Sequence, residues 1–205
     1  MTTNQPLSLF ISSKMTKELA DERRAVKEAL AEYRMYGWLW EDDAGARPEP
    51  INSTYLTEVE ACDIYIGLFW LSYGPYTIEE FEYARKLKKP CLVYEKHVDI
   101  AKRDPKLQTF LDDLQRVKSD EGLTVCHFEK TAQLAEQVQN DVMRLLTTVF
   151  RESRQQPSNS PASPAPAPGT TISISATNGG MAFYNNSGNI NQTNYIRSNK
   201  KQDKQ

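Results

Sequence analysis

Residues 64–96 read IYIGLFWLSYGPYTIEEFEYARKLKKPCLVYEK. An apolar run opens the stretch, a loop of Gly, Pro and Tyr follows, and a helical pattern leads to a second apolar run. The order is strand, loop, helix, strand. A helix of that size between two short buried strands is the βαβ unit of a parallel sheet. Two carboxylates, Glu79 and Glu80, fall where loop becomes helix, in what reads as the first turn of a helix over residues 78–87. Lys86, Lys88 and Lys89 suit the negative end of its dipole, and Pro90 stops it before a strand at 91–94.

Toward the N-terminus, residues 7–11 (LSLFI) form a first strand, followed by Ser12, Ser13 and an amphipathic helix over 17–36. Leu19, Val26, Ala29, Leu30 and Tyr33 recur on it at helical spacing, and Gly37 is read as its end. Residues 38–40 (WLW) form a second strand whose aromatics suit either a core or part of a lid or interface. Residues 41–50 (EDDAGARPEP) are a loop in which Asp42 and Asp43 either make a solvated turn or reach a ligand. A short helix capped by Asn52 or Ser53 runs to Ala61, and Asp63 precedes the central strand at 64–69.

Toward the C-terminus, Leu107, Phe110, Leu111, Leu114 and Val117 mark another helix, residues 124–128 (TVCHF) a fifth strand, and residues 131–150 a last helix. Five strands alternating with helices predict an α/β fold over residues 1–154: a five-stranded parallel sheet in a flavodoxin-like three-layer αβα sandwich. Strand order 2-1-3-4-5 is expected, because it allows right-handed crossovers on both faces.

The composition then changes. Residues 155–169 (QQPSNSPASPAPAPG) cannot make a core and read as an extended linker. Residues 170–196 carry no charge and alternate in TISIS and AFY between the turn signals NGG and NSGN. Three readings stay open for this β-prone segment: a disordered tail, a small oligomerising or solenoid-like β element, or an amyloid-type signalling motif. The basic end at 197–205 is solvated.

The whole chain has 205 residues, 39% hydrophobic and 25% charged, with a net charge of −2, so nothing drives it globally toward nucleic acid. The N-terminus is polar, unlike a secretory signal, and no apolar run approaches the roughly 18–20 residues that span a bilayer. Cys62, Cys91 and Cys126 are odd in number and sit in or beside apolar runs, as buried free thiols of a cytoplasmic protein would. No metal site is expected, since the Cys spacing is not ligand-like and His97 and His127 are isolated.

In an open parallel sheet, ligands bind beyond the carboxyl ends of the strands, where the order reverses. That crevice lies between the strands at 7–11 and 64–69, with a rim of Ser12, Ser13, residues 42–47 and residues 70–80. It gathers hydroxyls with Asp43, Arg47, Trp70, Tyr73, Tyr76 and the two glutamates. No Gly-rich dinucleotide fingerprint follows the first strand and no GxxxxGK occurs, so a hydride-transfer or ATP site is disfavoured and no cofactor is expected. Glu79 and Glu80 have two readings. They are ordinary helix stabilisers, or one of them stabilises or attacks the anomeric carbon of a ribosyl group as a base leaves. Such chemistry passes through an oxocarbenium-like state and needs a carboxylate near C1 but no metal. Tyr73 and Tyr76 either meet the leaving base or are half-buried loop aromatics.

The blocks FISSKMTKELADERRAVKEAL, DDAGARP, YLTEVEACDIYIGLFWLSYG and TIEEFEYARKLKKPCLVY resemble the DUF4062 family, a TIR-like relative within the group that contains nucleoside 2-deoxyribosyltransferases. Those transferases carry a nucleophilic Glu in a helix of the form E-x-G-Y-A followed by K-P. Glu80-Phe81-Glu82-Tyr83-Ala84 with Lys89-Pro90 has that spacing, so the resemblance implies Glu80 as the nucleophile, with Phe81 and Glu82 departing from the pattern. It also implies Ser12, Ser13 and Asp63 as ligand contacts and Glu79 as the second carboxylate. TIR-like membership implies an effector that cleaves NAD, as substrate, once self-assembled into a homo-oligomer or filament, with a partner in defence or signalling. The alternatives it leaves are a non-catalytic assembly module, nucleoside or nucleotide binding, and deoxyribosyl transfer.

Overall fold

The computed structural model describes residues 5–116 and 122–155. Contacts within the chain separate two units, Met1–Pro157 and Ser158–Gln205. The expectations for residues 155–205 fall outside the described residues, save that Gln155 closes the last helix.

Five parallel strands form one sheet: β1 (Ser8–Ser13), β2 (Tyr36–Trp38), β3 (Ile64–Phe69), β4 (Cys91–Lys96) and β5 (Val125–Phe128), in the expected order β2-β1-β3-β4-β5. The helices are α1 (Ala20–Glu32), α2 (Trp40–Asp43), α3 (Ile51–Ala61), α4 (Pro75–Lys86), α5 (Pro105–Gln115) and α6 (Thr131–Gln155). Strands covered on both faces are apolar throughout rather than alternating. Ile64, Ile66 and Leu68 of β3 accordingly join Leu9, Ile11, Val26, Leu30, Leu134 and Val138 under α1 and α6. Tyr65 and Phe69 turn the other way, to Phe10, Trp38, Tyr55, Phe81 and Leu111 under α3, α4 and α5. Phe81 holds α4 to that face, its ring edge-on to Tyr65 at 5.9 Å and to Phe110 at 5.4 Å. Truncating a buried Phe of this kind costs about 3–5 kcal/mol.

Three local expectations are corrected. The first long helix does not run to Gly37. It ends at Glu32, where Arg34 takes a left-handed φ of 58° and the N–H groups of Arg34 and Met35 bond back to the carbonyls of Ala31 and Leu30. Gly37 instead lies inside β2, where a Cβ would come within 3.0 Å of Ile11 Cδ1 and 3.4 Å of Lys27 Cα. Its glycine serves close helix–strand approach. The second strand is Tyr36–Trp38 rather than 38–40, because Ser8 pairs with Tyr36 and the N–H of Leu39 goes to the Asp43 carboxylate, which starts α2. The third correction concerns α4, which starts at Pro75 rather than residue 78. Pro at the first helical position has its φ already set and lacks only an N–H that would be unpaired there.

Candidate active site

The earlier start of α4 moves Glu79 and Glu80 out of the first turn, which holds no acidic residue. The dipole's stabilisation of carboxylates fades beyond the first turn, so that account of the pair weakens. Their surroundings differ. Glu80 points inward to the carboxyl end of β1, where the Ser12 hydroxyl donates a hydrogen bond to its Oε2. Both side chains are buried, Ser12 at 3% and Glu80 at 9% exposure. Burial pushes the Glu80 carboxyl up; the Ser12 hydrogen bond pulls it down, and the Glu79 charge adds to the rise, leaving it at about 7. Among the described residues no cation acts on its carboxyl.

Glu80 and Ser12 form the polar end of a cavity of about 190 Å3, otherwise lined by Phe10, Ile11, Ser13, Met15, Trp38, Trp40, Ile51, Tyr55 and Tyr76. Successive strand residues face opposite ways. Phe10 and Ser12 therefore share the α3–α4 face while Ser13 turns toward α1. Phe10 stacks on Trp38 at 4.8 Å, Trp40 meets Trp38 edge-on at 6.2 Å, and Tyr76 meets Tyr55 at 5.8 Å. Met15, Ile51 and Tyr76 are exposed at the mouth. Glu79, one residue before Glu80, accepts a hydrogen bond from the Tyr55 hydroxyl. Burial, then that hydrogen bond and the carboxylate's charge, hold the Tyr55 phenol protonated, well above its ordinary range. Such a chamber accepts a flat, apolar ring against its aromatic walls and presents one carboxylate to it.

A buried guanidinium fixes the neighbouring loop. Arg23 donates from Nε to Glu41 at 2.6 Å and from Nη1 to the Ser13 hydroxyl at 2.7 Å. Helix α1 is thereby tied both to the end of β1 and to the start of α2.

The rim residues read from the sequence separate into two groups. Glu80, Ser12, Ser13 and Tyr76 come together at the cavity, with Glu79 at its wall through Tyr55. The Asp43 carboxylate is occupied by Lys27 at 2.8 Å, the Leu39 N–H at 2.7 Å and the Tyr36 hydroxyl at 2.9 Å. These three donors hold it below the usual carboxylate range although its burial alone would raise it. Arg47 pairs with Glu58 at 2.7 Å and donates to the Ala44 carbonyl at 2.8 Å. Asp63 accepts the Ser8 N–H at 2.8 Å, at the amino end of β1, the far end of the strand from Ser12. Trp70 packs on the α1–α6 side with Lys96 Nζ 4.3 Å above its ring, and Tyr73 packs half-buried against the α3–α5 side.

Sequence reasoning did not name Phe10, Met15, Trp38, Trp40, Ile51, Tyr55 or Arg23 as site residues. The two-residue alternation of β1 was a usable signal for Phe10. Tyr55 depends on how α3 docks beside α4, which no local pattern encodes. Among the described residues no group of His, Cys, Asp or Glu is placed to hold a metal ion, and no helix is long and apolar enough to cross a membrane.

Several solved structures are similar in outline. A CMP N-glycosidase, BcmB, from Clostridium botulinum matches with TM-score 0.46 at 12% identity, covering 64% of this chain and 96% of that one. A 2-desoxiribosyltransferase from Leishmania mexicana matches with TM-score 0.38 at 15% identity over 57% of this chain and 77% of that one. The rubredoxin oxygen:oxidoreductase of Desulfovibrio gigas matches with TM-score 0.41 at 12% identity, over 65% of this chain and 33% of that one. No curated protein sequence matches significantly. A family model described as Domain of unknown function (DUF4062) matches residues 8–143.

Proposed function

We propose that this chain, which belongs to the DUF4062 family, cleaves the N-glycosidic bond of a nucleoside- or nucleotide-type substrate. NAD is the specific candidate and Glu80 the carboxylate that meets its anomeric carbon. The observation that carries the reading is a buried glutamate at about 7, paired among the described residues with a serine hydroxyl and no cation, at the polar end of an aromatic cavity. A carboxylate kept only for architecture has no need of an open chamber or of the cost of burial without a cation.

The chemistry follows from the charge. The C1–N bond breaks with its electron pair going to the base, and positive charge develops on the ribosyl ring. An ionised Glu80 stabilises that charge, or bonds to C1 and is then displaced by water. Water's oxygen ends on C1 and a proton is released. The nicotinamide of NAD leaves as a neutral base and needs no proton from an acid. A cationic ring in the cavity also favours ionisation of Glu80, since an opposite charge within about 4–6 Å lowers a carboxyl's pKa. Ser12 then serves to hold the charged form. Tyr55 and Tyr76 supply a wall for the leaving base. Self-assembly through residues 170–196 and a role in defence or signalling complete the proposal.

The test is release of free base from NAD, CMP and 2-deoxyribonucleosides by the full-length protein, at low and high protein concentration, beside Glu80→Gln. Base release by the wild type and a loss of about 1,000-fold or more in the variant are expected. No release from any of them under either condition would end the glycosidic reading. Release retained by Glu80→Gln would remove Glu80 from it.

A further inference from the structure

We infer that the substrate carries a phosphate or diphosphate group, and that this group lies in a second cavity, across the loop after β1, where Lys17 and Arg24 receive it. The inference rests on the glycosidic reading of the first cavity and names the class of substrate that reading leaves open.

The first argument is size. Ligand pockets usually occupy about 300–1,000 Å3, and the Glu80 cavity, at about 190 Å3, has room for a ribosyl ring with its base and little more. A second cavity of about 370 Å3 lies against it, and Met15 is part of the wall of both. The two flank the end of β1. The first is reached from Ser12, and the second is bounded by Arg23, which bonds the Ser13 hydroxyl. Met15, exposed, is the residue that the two linings share.

The second argument is charge. Lys17, Arg23, Arg24, Glu41 and Asp42 bring three cations and two carboxylates to this cavity. Both carboxylates are already engaged, Glu41 with Arg23 at 2.6 Å and Asp42 with Lys27 at 2.9 Å, and Lys27 is not part of the lining. Arg23, buried at 4% exposure, is used up in that pair and in holding Ser13. Lys17 and Arg24 are left without an ion-pair partner among the described residues. The free charge facing the second cavity is therefore positive, while the first presents an acidic group and aromatic rings. A riboside without phosphate uses only the first. A nucleotide, with an anion one sugar away from its glycosidic bond, matches the order of the two chambers, and its phosphate oxygens suit lysine and arginine donors.

The experiment compares two ligands with the same glycosidic bond, nicotinamide riboside and nicotinamide mononucleotide, titrated calorimetrically into full-length Glu80→Gln, with and without Lys17→Ala/Arg24→Ala. The mononucleotide is expected to bind about tenfold or more tightly than the riboside at low salt, with the gap shrinking as salt rises. The double variant should lose most of that gap. Equal binding of the two ligands, a gap that survives the double variant, or no binding of either overturns the inference. The two proposals fail separately. Base release by the wild type without phosphate preference removes the second cavity's role and leaves the glycosidic reading standing. Phosphate-dependent binding with no base release from any substrate does the reverse.

Discussion

Glu80 and Glu22 are buried against the carboxyl end of the same sheet, one under each helical layer, at 9% and 4% exposure. Burial works on both in the same direction, and they end on opposite sides of the ordinary value. For Glu22 the effect of burial is overcome by the hydrogen bond from Lys96, by that lysine's charge and by the Thr131 hydroxyl, and its carboxyl falls below the usual range. Among the described residues Glu80 has the Ser12 hydroxyl alone to favour its charged form, against burial and the Glu79 charge, and it stays raised, at about 7. Glu22 lies in the wall of neither cavity at the end of β1, whereas Glu80 ends one of them. Depth of burial alone does not separate a structural carboxylate from a reactive one; the partner and the adjoining space do.

The widest gap between the two sites should appear in stability against pH. Glu80 has a folded value above the roughly 4.3 of an unfolded Glu. The folded state therefore holds more protons between about 4.3 and 7, and stability falls as pH rises through that window. Glu80→Gln removes this penalty. By urea unfolding the variant should gain on the order of 3–4 kcal/mol over wild type at pH 8 and almost nothing at pH 4. A variant less stable than wild type at pH 8 breaks the contrast.

The Glu22 side should respond in the opposite sense. Its lowered value contributes stability that is present above the unfolded pKa of about 4.3 and is lost as pH falls through the folded value. Lys96→Met leaves that carboxylate buried without its cation. Since Lys96 is 19% exposed, the loss should reach about 2 kcal/mol at pH 7 rather than the larger cost of a fully buried pair, and shrink toward zero in acid. Denaturant midpoints at the two pH values check this, and a loss independent of pH contradicts it. The smallest change belongs to Ser12→Ala. Removing the hydroxyl that favours ionised Glu80 should move the carboxyl further up and shift the alkaline rise of base release to higher pH, with about 1 kcal/mol of stability at stake. An unshifted pH–rate profile would mean that Ser12 does not act on Glu80.

The architecture was legible because β3 is apolar at every position and is linked to β4 by a helix that ends at Lys86, with Lys88 at a left-handed φ of 57° just before Pro90. Strand order followed from the handedness of the crossovers. Boundaries were misread where one residue type serves two purposes. Gly37 resembles a helix stop but permits close packing on Ile11, and Pro75 resembles loop but opens α4. At the site, the switch-point argument led to Ser12, Tyr76 and the pair Glu79 and Glu80, and the family resemblance singled out Glu80. Asp43, Arg47 and Asp63 share the chemistry expected of a rim, yet their charges are met by Lys27, by Glu58 and by the Ser8 N–H. A charged residue near a crevice in sequence says nothing about which neighbour satisfies it in space. Trp38 and Trp40 stand together in WLW, but that Tyr55 of α3 joins them in one cavity wall is a matter of helix docking that no local pattern carries.

The central claim is that, among the described residues, the buried Glu80 carboxylate has no cation acting on it. Titration of the glutamate side-chain carboxyl carbons by NMR, with the Glu80 and Glu22 signals assigned from the Glu80→Gln and Glu22→Gln variants, addresses it directly. Glu80 should titrate near 7 and Glu22 below the ordinary carboxylate range. If both titrate together near the unfolded value of about 4.3, the two sites are equivalent and Glu80 has no special standing.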